Sequence, residues 1–130
     1  MKILINILFI VLISFISISC ARNVPIYNVE SSPVSVDLTE EGVGKSIISA
    51  GIILGWQMRK IQPGQISAKI FLRKHMAEAE INYDAKNYSI IYKDSEELNF
   101  ADGKIHKNYN SWVKNLDREI QKQLLLRSNQ

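Results

Sequence analysis

Apolar residues recur at helical spacing in the first stretch of the chain that has a clear pattern. They follow one another three or four residues apart, at Val43, Ile47, Ala50 and Leu54. Thr39, which precedes two acidic residues, is a good N-cap, and the glycine after Leu54 offers a stop. Three glycines inside the segment weaken a helix unless they let it lie close against a sheet: Gly42, Gly44 and Gly51. The pattern predicts a helix over residues 39–54.

From Trp56 onward the period of the apolar residues changes to two, which is typical of strands with one buried face. Pro63-Gly64 separates the first two strands, because this dipeptide is a strong turn signal. The apolar phase slips by one residue between Leu72 and Ala77, which places a second turn there. Residues 84–87 form a third turn, so we expect four strands joined as antiparallel hairpins.

The third and fourth strands share a pattern that suggests their register. One alignment pairs apolar or aromatic residues at three successive inward positions: Tyr83 with Tyr88, Ile81 with Ile90, and Ala79 with Tyr92. The same alignment places Glu78 opposite Lys93 on the other face, which is a favourable pair of charges.

The last part of the chain predicts a long connection and a second helix. Asp102-Gly103 is a tight-turn signal within residues 94–107, and Asn108 or Asn110 can cap the helix that follows. The inner stripe of this helix has four aliphatic residues: Val113, Leu116, Ile120 and Leu124. The predicted fold of residues 38–130 is therefore an α+β domain, in which an N-terminal and a C-terminal helix cover one face of a four-stranded antiparallel sheet.

Residues 20–37 have no helical periodicity and contain two prolines and three serines. We interpret them as an extended tether between the N-terminal segment and the domain. The seventeen residues that follow Cys20, residues 21–37, would reach about 55 Å when extended.

The first nineteen residues have the layout of an export signal. Lys2 precedes residues 3–19, which carry no charge and whose polar residues are Asn6 and three serines. A helix of this length spans about 26 Å, which is marginal for a bilayer core of about 30 Å. A signal peptide over residues 1–19 is therefore the first interpretation, and an uncleaved membrane anchor is an alternative.

Cys20, the only cysteine in the chain, closes the uncharged run. The stretch Ile16-Ser17-Ile18-Ser19-Cys20 resembles a bacterial lipobox, although serine replaces the usual leucine at Ser17. The resemblance implies that the thiol receives a diacylglyceryl group and that the chain is cut just before it. Two acyl chains anchor a protein stably, whereas one does not. Cleavage after Ala21, which would discard Cys20, is the alternative.

Three segments, LGWQM, LRKHMAEAEINYDAKNYSIIYKDSEELNF and IHKNYNSWVKNLDREI, resemble a family of small uncharacterised lipoproteins of Gram-negative bacteria. The resemblance covers residues 38–121 and implies a lipid-anchored domain that faces the periplasm. It supplies no catalytic residues, because no activity is established for the family. By the sorting rule of well-studied lipoproteins, alanine rather than aspartate at Ala21 implies the outer membrane.

The composition is ordinary for a globular protein, with 46% apolar residues, 22% charged residues and a net charge of +3. The basic residues are scattered, whereas a nucleic-acid binder concentrates them, so we expect no nucleic acid. His75 and His106 have no second histidine or cysteine at metal spacing, and the G-x-S-x-G motif is missing from the sequence. Glu78 and Glu80 are best explained as a solvated strand face. We therefore expect no metal, no cofactor and no catalytic residues.

Aromatic and polar residues near the second helix are candidates for contact with a ligand or a partner. Tyr88, Tyr92 and Trp112 could line a pocket between sheet and helix, although their spacing explains them equally well as core. Tyr109 and Asn110 belong to a polar run that could bind a glycan or could instead form the start of the helix.

A second candidate surface depends on the loop at Pro63-Gly64. A two-residue loop would place Trp56 and Met58 beside Phe71 and Ile91 on the face away from the helices, which makes an exposed apolar patch for a partner. A three-residue loop with a bulge would turn Trp56 and Met58 inward instead.

These expectations together describe a lipid-anchored periplasmic domain without catalysis, which serves as an interaction or structural module of the cell envelope. Its expected partners are the membrane, through the lipid at Cys20, and an envelope protein. A small-ligand or glycan-binding protein is the alternative, and a cell-wall hydrolase is a third hypothesis.

Overall fold

A computed structural model describes residues 22–130 of the protein. Its elements in chain order are β1 (Asn23–Pro25), β2 (Val29–Pro33), α1 (Glu40–Ile53), β3 (Gln57–Gln62), β4 (Gln65–Leu72), β5 (His75–Tyr83), β6 (Asn87–Glu96), β7 (Lys104–His106) and α2 (Lys107–Ser128). The predicted signal peptide and Cys20 lie outside the described residues.

The strands form two antiparallel sheets. The main sheet has the order β2-β6-β5-β4-β3, and β1 pairs with β7 in a sheet of two strands. The α+β class and the four predicted strands, here β3 to β6, are confirmed. The prediction of a four-stranded sheet is wrong in its count, because β2 adds a fifth strand beside β6.

The extended tether predicted for residues 20–37 is also wrong for the part of it that the structure describes. Ile26 N donates to Gly103 O at 3.0 Å, and Val34 N donates to Lys86 O at 2.8 Å, so both new strands are held against the domain. A bulge between Val29 and Ser32 breaks the alternation that would have revealed β2. The prolines lie at strand ends, where a missing N–H is tolerated.

The predicted register of the central hairpin is confirmed at its inward positions. Tyr83 pairs with Tyr88, and the two pairs that follow along β5 and β6 also match. A bulge between Glu78 and Ala79 then places Glu78 opposite Asp94 rather than Lys93. Lys93 Nζ nevertheless lies 3.8 Å from Glu78 Oε1, so the expected pair of charges forms across the bulge.

Helix α1 lies against the sheet at two glycines. A Cβ atom at Gly44 would come within 2.5 Å of Tyr83 Oη, and a Cβ atom at Gly51 would come within 2.1 Å of Met58 Sδ. The predicted role of these glycines is thus confirmed. It is wrong for Gly42, whose neighbours are residues at the start of its own helix.

Helix α2 buries its predicted stripe, since Val113, Leu116, Ile120 and Leu124 all belong to the core. Its N-cap is His106 rather than either predicted asparagine, because His106 Nδ1 accepts a hydrogen bond from Asn108 N at 3.2 Å. Within the described residues, neither helix combines the length and the apolar character needed to cross a lipid bilayer.

Candidate functional site

Tyr88 is an interior anchor between the sheet and α2, and it also lines an open hollow of about 260 Å³ beside the β5–β6 turn. Its hydroxyl donates to Asp117 Oδ1 and accepts a hydrogen bond from Gln121 Nε2 at 3.0 Å. Burial is the first cause that raises the pKa of Tyr88 well above its ordinary value, and the bond to Asp117 adds to the effect. The side chain therefore stays neutral, and its two hydrogen bonds tie β6 to Asp117 and Gln121 of α2.

Tyr92 and Tyr109 belong to an aromatic group with Phe100. The rings of Tyr92 and Phe100 stack at 4.5 Å between centroids, and Tyr109 meets Tyr92 edge-on at 5.5 Å. Tyr109 is fully buried, which raises the pKa of its hydroxyl, and that hydroxyl has no hydrogen-bond partner among the described residues. The side of this group that faces solvent is the exposed ring of Phe100.

Asn110 and Trp112 also have structural roles. The amide of Asn110 donates to Pro25 O and its oxygen accepts from Tyr27 N, both at 2.9 Å. This pair of bonds clamps the segment between β1 and β2 onto α2. Trp112 is half-buried and packs against the core. Both residues therefore make contacts within the domain, and their predicted contact with a glycan stays a prediction.

Trp56 and Phe71 lie on opposite faces of the sheet, so the predicted apolar patch that joins them is wrong. Trp56 is only 4% exposed, whereas Phe71 is 54% exposed. The loop at Pro63-Gly64 does have two residues, because Gln62 pairs with Gln65, but a bulge between Lys60 and Gln62 shifts the phase of β3. The inward alternative for Trp56 and Met58 is thus confirmed.

The outer face of the main sheet, here called the open face, is built around one carboxylate. Glu78 Oε1 accepts from Ser67 Oγ at 2.9 Å and lies 3.8 Å from Lys93 Nζ, while Oε2 lies 3.5 Å from Lys69 Nζ. Burial alone would raise the pKa of Glu78, but the bond from Ser67 and the two lysines outweigh it and hold the pKa below its ordinary value. A carboxylate of low pKa is a poor general base. The hydrogen bond between Ser67 and Glu78 is therefore suited to holding β4 against β5 and not to activating a nucleophile.

Basic side chains gather at the end of the sheet where the described chain begins. Arg22, Lys74 and Lys107 surround a hollow of about 590 Å³ that Glu97, His75 and His106 also line, here called the basic hollow. Lys107 N donates to Arg22 O at 2.9 Å, and His75 Nδ1 lies 2.7 Å from Glu97 O. Lys74 forms an exposed ion pair with Glu97 at 3.8 Å.

The two histidines therefore serve local hydrogen bonds, His75 to a loop carbonyl and His106 as the cap of α2. Among residues 22–130, three or more His, Cys, Asp or Glu side chains never come close enough together to hold a metal ion. Sequence reasoning missed the basic hollow, because its residues are far apart in the chain: they lie just before β1, around the β4–β5 turn, in the loop after β6, and where β7 meets α2.

No protein-family model matches this chain, nor does any curated protein or solved structure.

Proposed function

We propose that this protein is a membrane-anchored lipoprotein whose domain faces the periplasm and acts as a non-catalytic interaction or structural module of the cell envelope. The observation that carries the proposal is the uncharged run of residues 3–19, which ends at the only cysteine. The domain starts immediately afterwards, since β1 begins at Asn23. The lipobox-like sequence and the resemblance to small lipoproteins support the same anchor.

The arrangement of the described polar side chains supports a role without catalysis. Glu78 is held at low pKa by its partners, and Tyr88 is held neutral in the interior. Both groups therefore already have fixed structural partners at neutral pH. A catalytic acid or base needs a pKa near the working pH and a path to its substrate.

Acylation at Cys20 is tested by the mass of the mature protein and by its distribution between membrane and soluble fractions. We expect the wild type to begin at Cys20, to carry the diacylglyceryl mass and to stay with the membranes. Cys20→Ser should lose the acyl mass. Ala21→Asp is the matched control, because it should keep the lipid and move the protein from the outer to the inner membrane. A mature wild-type chain without acyl groups would contradict the proposal.

A glycan-binding role is the second candidate, and one observation favours it. Phe100 is 48% exposed, stacks on Tyr92, and forms part of the wall of an open hollow of about 470 Å³. An exposed aromatic ring can stack against the apolar face of a sugar. Titration with soluble cell-wall fragments, followed by nuclear magnetic resonance, should shift the Phe100 and Tyr92 signals in the wild type if this role is correct. Phe100→Ala should abolish the shift of the Tyr92 signals, and Phe71→Ala, which changes a similarly exposed ring elsewhere, should not.

A further inference from the structure

We infer that the basic hollow and the exposed apolar side chains beside it form a docking surface for the anionic phospholipid headgroups of the bilayer in which the protein is anchored. This inference rests on the proposed lipid at Cys20. Four observations carry it: the short link to Cys20, the charge of the hollow, the apolar side chains exposed at the same end of the sheet, and the mixed charge of the far end of the domain.

The link between the lipid and the fold is very short. Arg22 is already held by the hydrogen bond from Lys107 N, and β1 begins at the next residue. Two residues of chain separate the Cα atoms of Cys20 and Arg22 by at most about 7 Å. A lipid on Cys20 therefore brings this end of the domain to the membrane surface and leaves no tether to hold it away.

The charge of the hollow suits an anionic surface. Arg22, Lys74 and Lys107 contribute three cations, and Glu97 contributes one carboxylate, which is paired with Lys74 in an exposed ion pair. An exposed pair of this kind is weak, so a phosphate group can compete for Lys74. Each lysine or arginine near an anionic bilayer strengthens binding about fivefold.

Large apolar side chains are exposed at the same end of the sheet. Phe71 and Leu72 end β4 just before the turn that carries Lys74, and Phe100 lies in the loop between β6 and β7. Leu72 is 43% exposed, and the two phenylalanines are about half exposed. Apolar side chains beside lysine and arginine are the combination that binds the boundary between headgroups and acyl chains.

The opposite end of the sheet also exposes apolar side chains, namely Ile61, Leu125 and Leu126, but the charges around them are mixed. There the start of α1 carries Glu40 and Glu41, and the β5–β6 turn carries Asp84, mixed with Lys45 and Lys86. A domain anchored through Cys20 with its basic end down thus turns its mixed-charge end toward the periplasm. The open face is left available to a protein partner.

The orientation is tested on the purified acylated protein, diluted to about one molecule per vesicle. Asn108→Cys places a thiol at the basic hollow, and Ser128→Cys places one at the far end of the same helix, about 30 Å away. Because Cys20 is acylated, the introduced thiol is the only free one. Both variants are labelled with a water-soluble maleimide on vesicles of phosphatidylcholine, with and without about one third phosphatidylglycerol.

We expect Asn108→Cys to react at least tenfold more slowly on the anionic vesicles than on the neutral ones, because docking shields the thiol. Ser128→Cys should react at similar rates on both. In the Asn108→Cys background, charge reversal with Lys74→Glu and Lys107→Glu should restore the fast rate, provided that the melting temperature shows an intact fold. If these reversals unfold the domain, raising the salt concentration is the second test, and it should restore the fast rate as well.

The outcomes separate the two proposals. An acylated protein whose Asn108→Cys thiol reacts equally fast on both kinds of vesicle overturns the docking surface and leaves the lipoprotein assignment intact. Equal slowing of both thiols on anionic vesicles also overturns it, because the shielding would then have no preferred end. A purified chain without acyl mass overturns the lipoprotein assignment, and the docking surface falls with it.

Discussion

The two faces of the main sheet are built on different principles, although the same strands make both. The covered face is aliphatic and aromatic. Helix α1 approaches it so closely that a side chain at Gly44 or Gly51 would overlap the sheet. The open face is organised by the carboxylate of Glu78, which a hydroxyl and two lysines hold. Apolar burial contributes far more to folding than partly solvated charges do. The covered face therefore determines most of the stability of the fold.

The largest expected effect compares two neighbouring isoleucines of β6. Ile90 is fully buried on the covered face, and Ile91 is half-buried on the open face. We expect Ile90→Ala to lower the free energy of unfolding by about 2–5 kcal/mol, because it leaves a cavity in a closely packed core. Ile91→Ala should cost about 1 kcal/mol or less. Urea unfolding followed by circular dichroism measures both, and equal losses would contradict the distinction between the faces.

A smaller effect is expected where α1 touches the covered face. In Gly44→Ala the new methyl group would overlap the ring of Tyr83, which costs more than the gain in helix propensity returns. We expect a net loss of about 1–2 kcal/mol in the free energy of unfolding. Gly42→Ala, in the same helix, meets its nearest atom at an ordinary 3.4 Å and should be neutral or slightly stabilising. Should Gly44→Ala be as well tolerated as Gly42→Ala, the close approach of helix and sheet would be refuted.

The sequence predicted the hairpin of β5 and β6 because its apolar residues alternate along both strands, although the bulge after Glu78 was not predicted. A slip by one residue would have moved Glu78 and Glu80 into the core. Strand β2 could not be predicted, because two of its five residues are serines, one is proline, and a bulge interrupts its pairing. It is a strand because its backbone groups find partners in β6, which is a property of the neighbouring strand and not of its own side chains.

Whether a candidate contact residue is buried or exposed could be predicted only where the local pattern showed which face of the sheet it is on. The position of Trp56 depended on the bulge after Lys60, which short-range pattern does not reveal, so two alternatives stayed open. The clamp of Asn110 joins residues 83 and 85 positions apart in the chain, and the basic hollow joins residues from several distant parts of the chain. Such sites form because the fold brings distant parts of the chain together, and a single sequence gives no local signal for them.

The smallest expected effect is on the open face and depends on pH. The pKa of Glu78 in the folded protein lies below the ordinary value of 4.5, which we take as the value in the unfolded chain. The ionised carboxylate therefore stabilises the fold above that value, and the contribution is lost as the pH falls through the folded pKa. Glu78→Gln keeps an acceptor for Ser67 Oγ and removes only the charge that faces the two lysines. We expect it to cost about 1 kcal/mol at neutral pH and almost nothing well below pH 4.5.

The measurement is the difference in urea unfolding free energy between Glu78→Gln and wild type across this range of pH. Glu96→Gln is the matched control, because Glu96 is an exposed acid at the end of the same sheet and its substitution should cost little. A cost for Glu78→Gln that stayed constant with pH would mean that shape and not charge holds the open face together. A cost as large as that of Ile90→Ala would mean that the two faces share the stability of the fold, and the contrast between them would then fail.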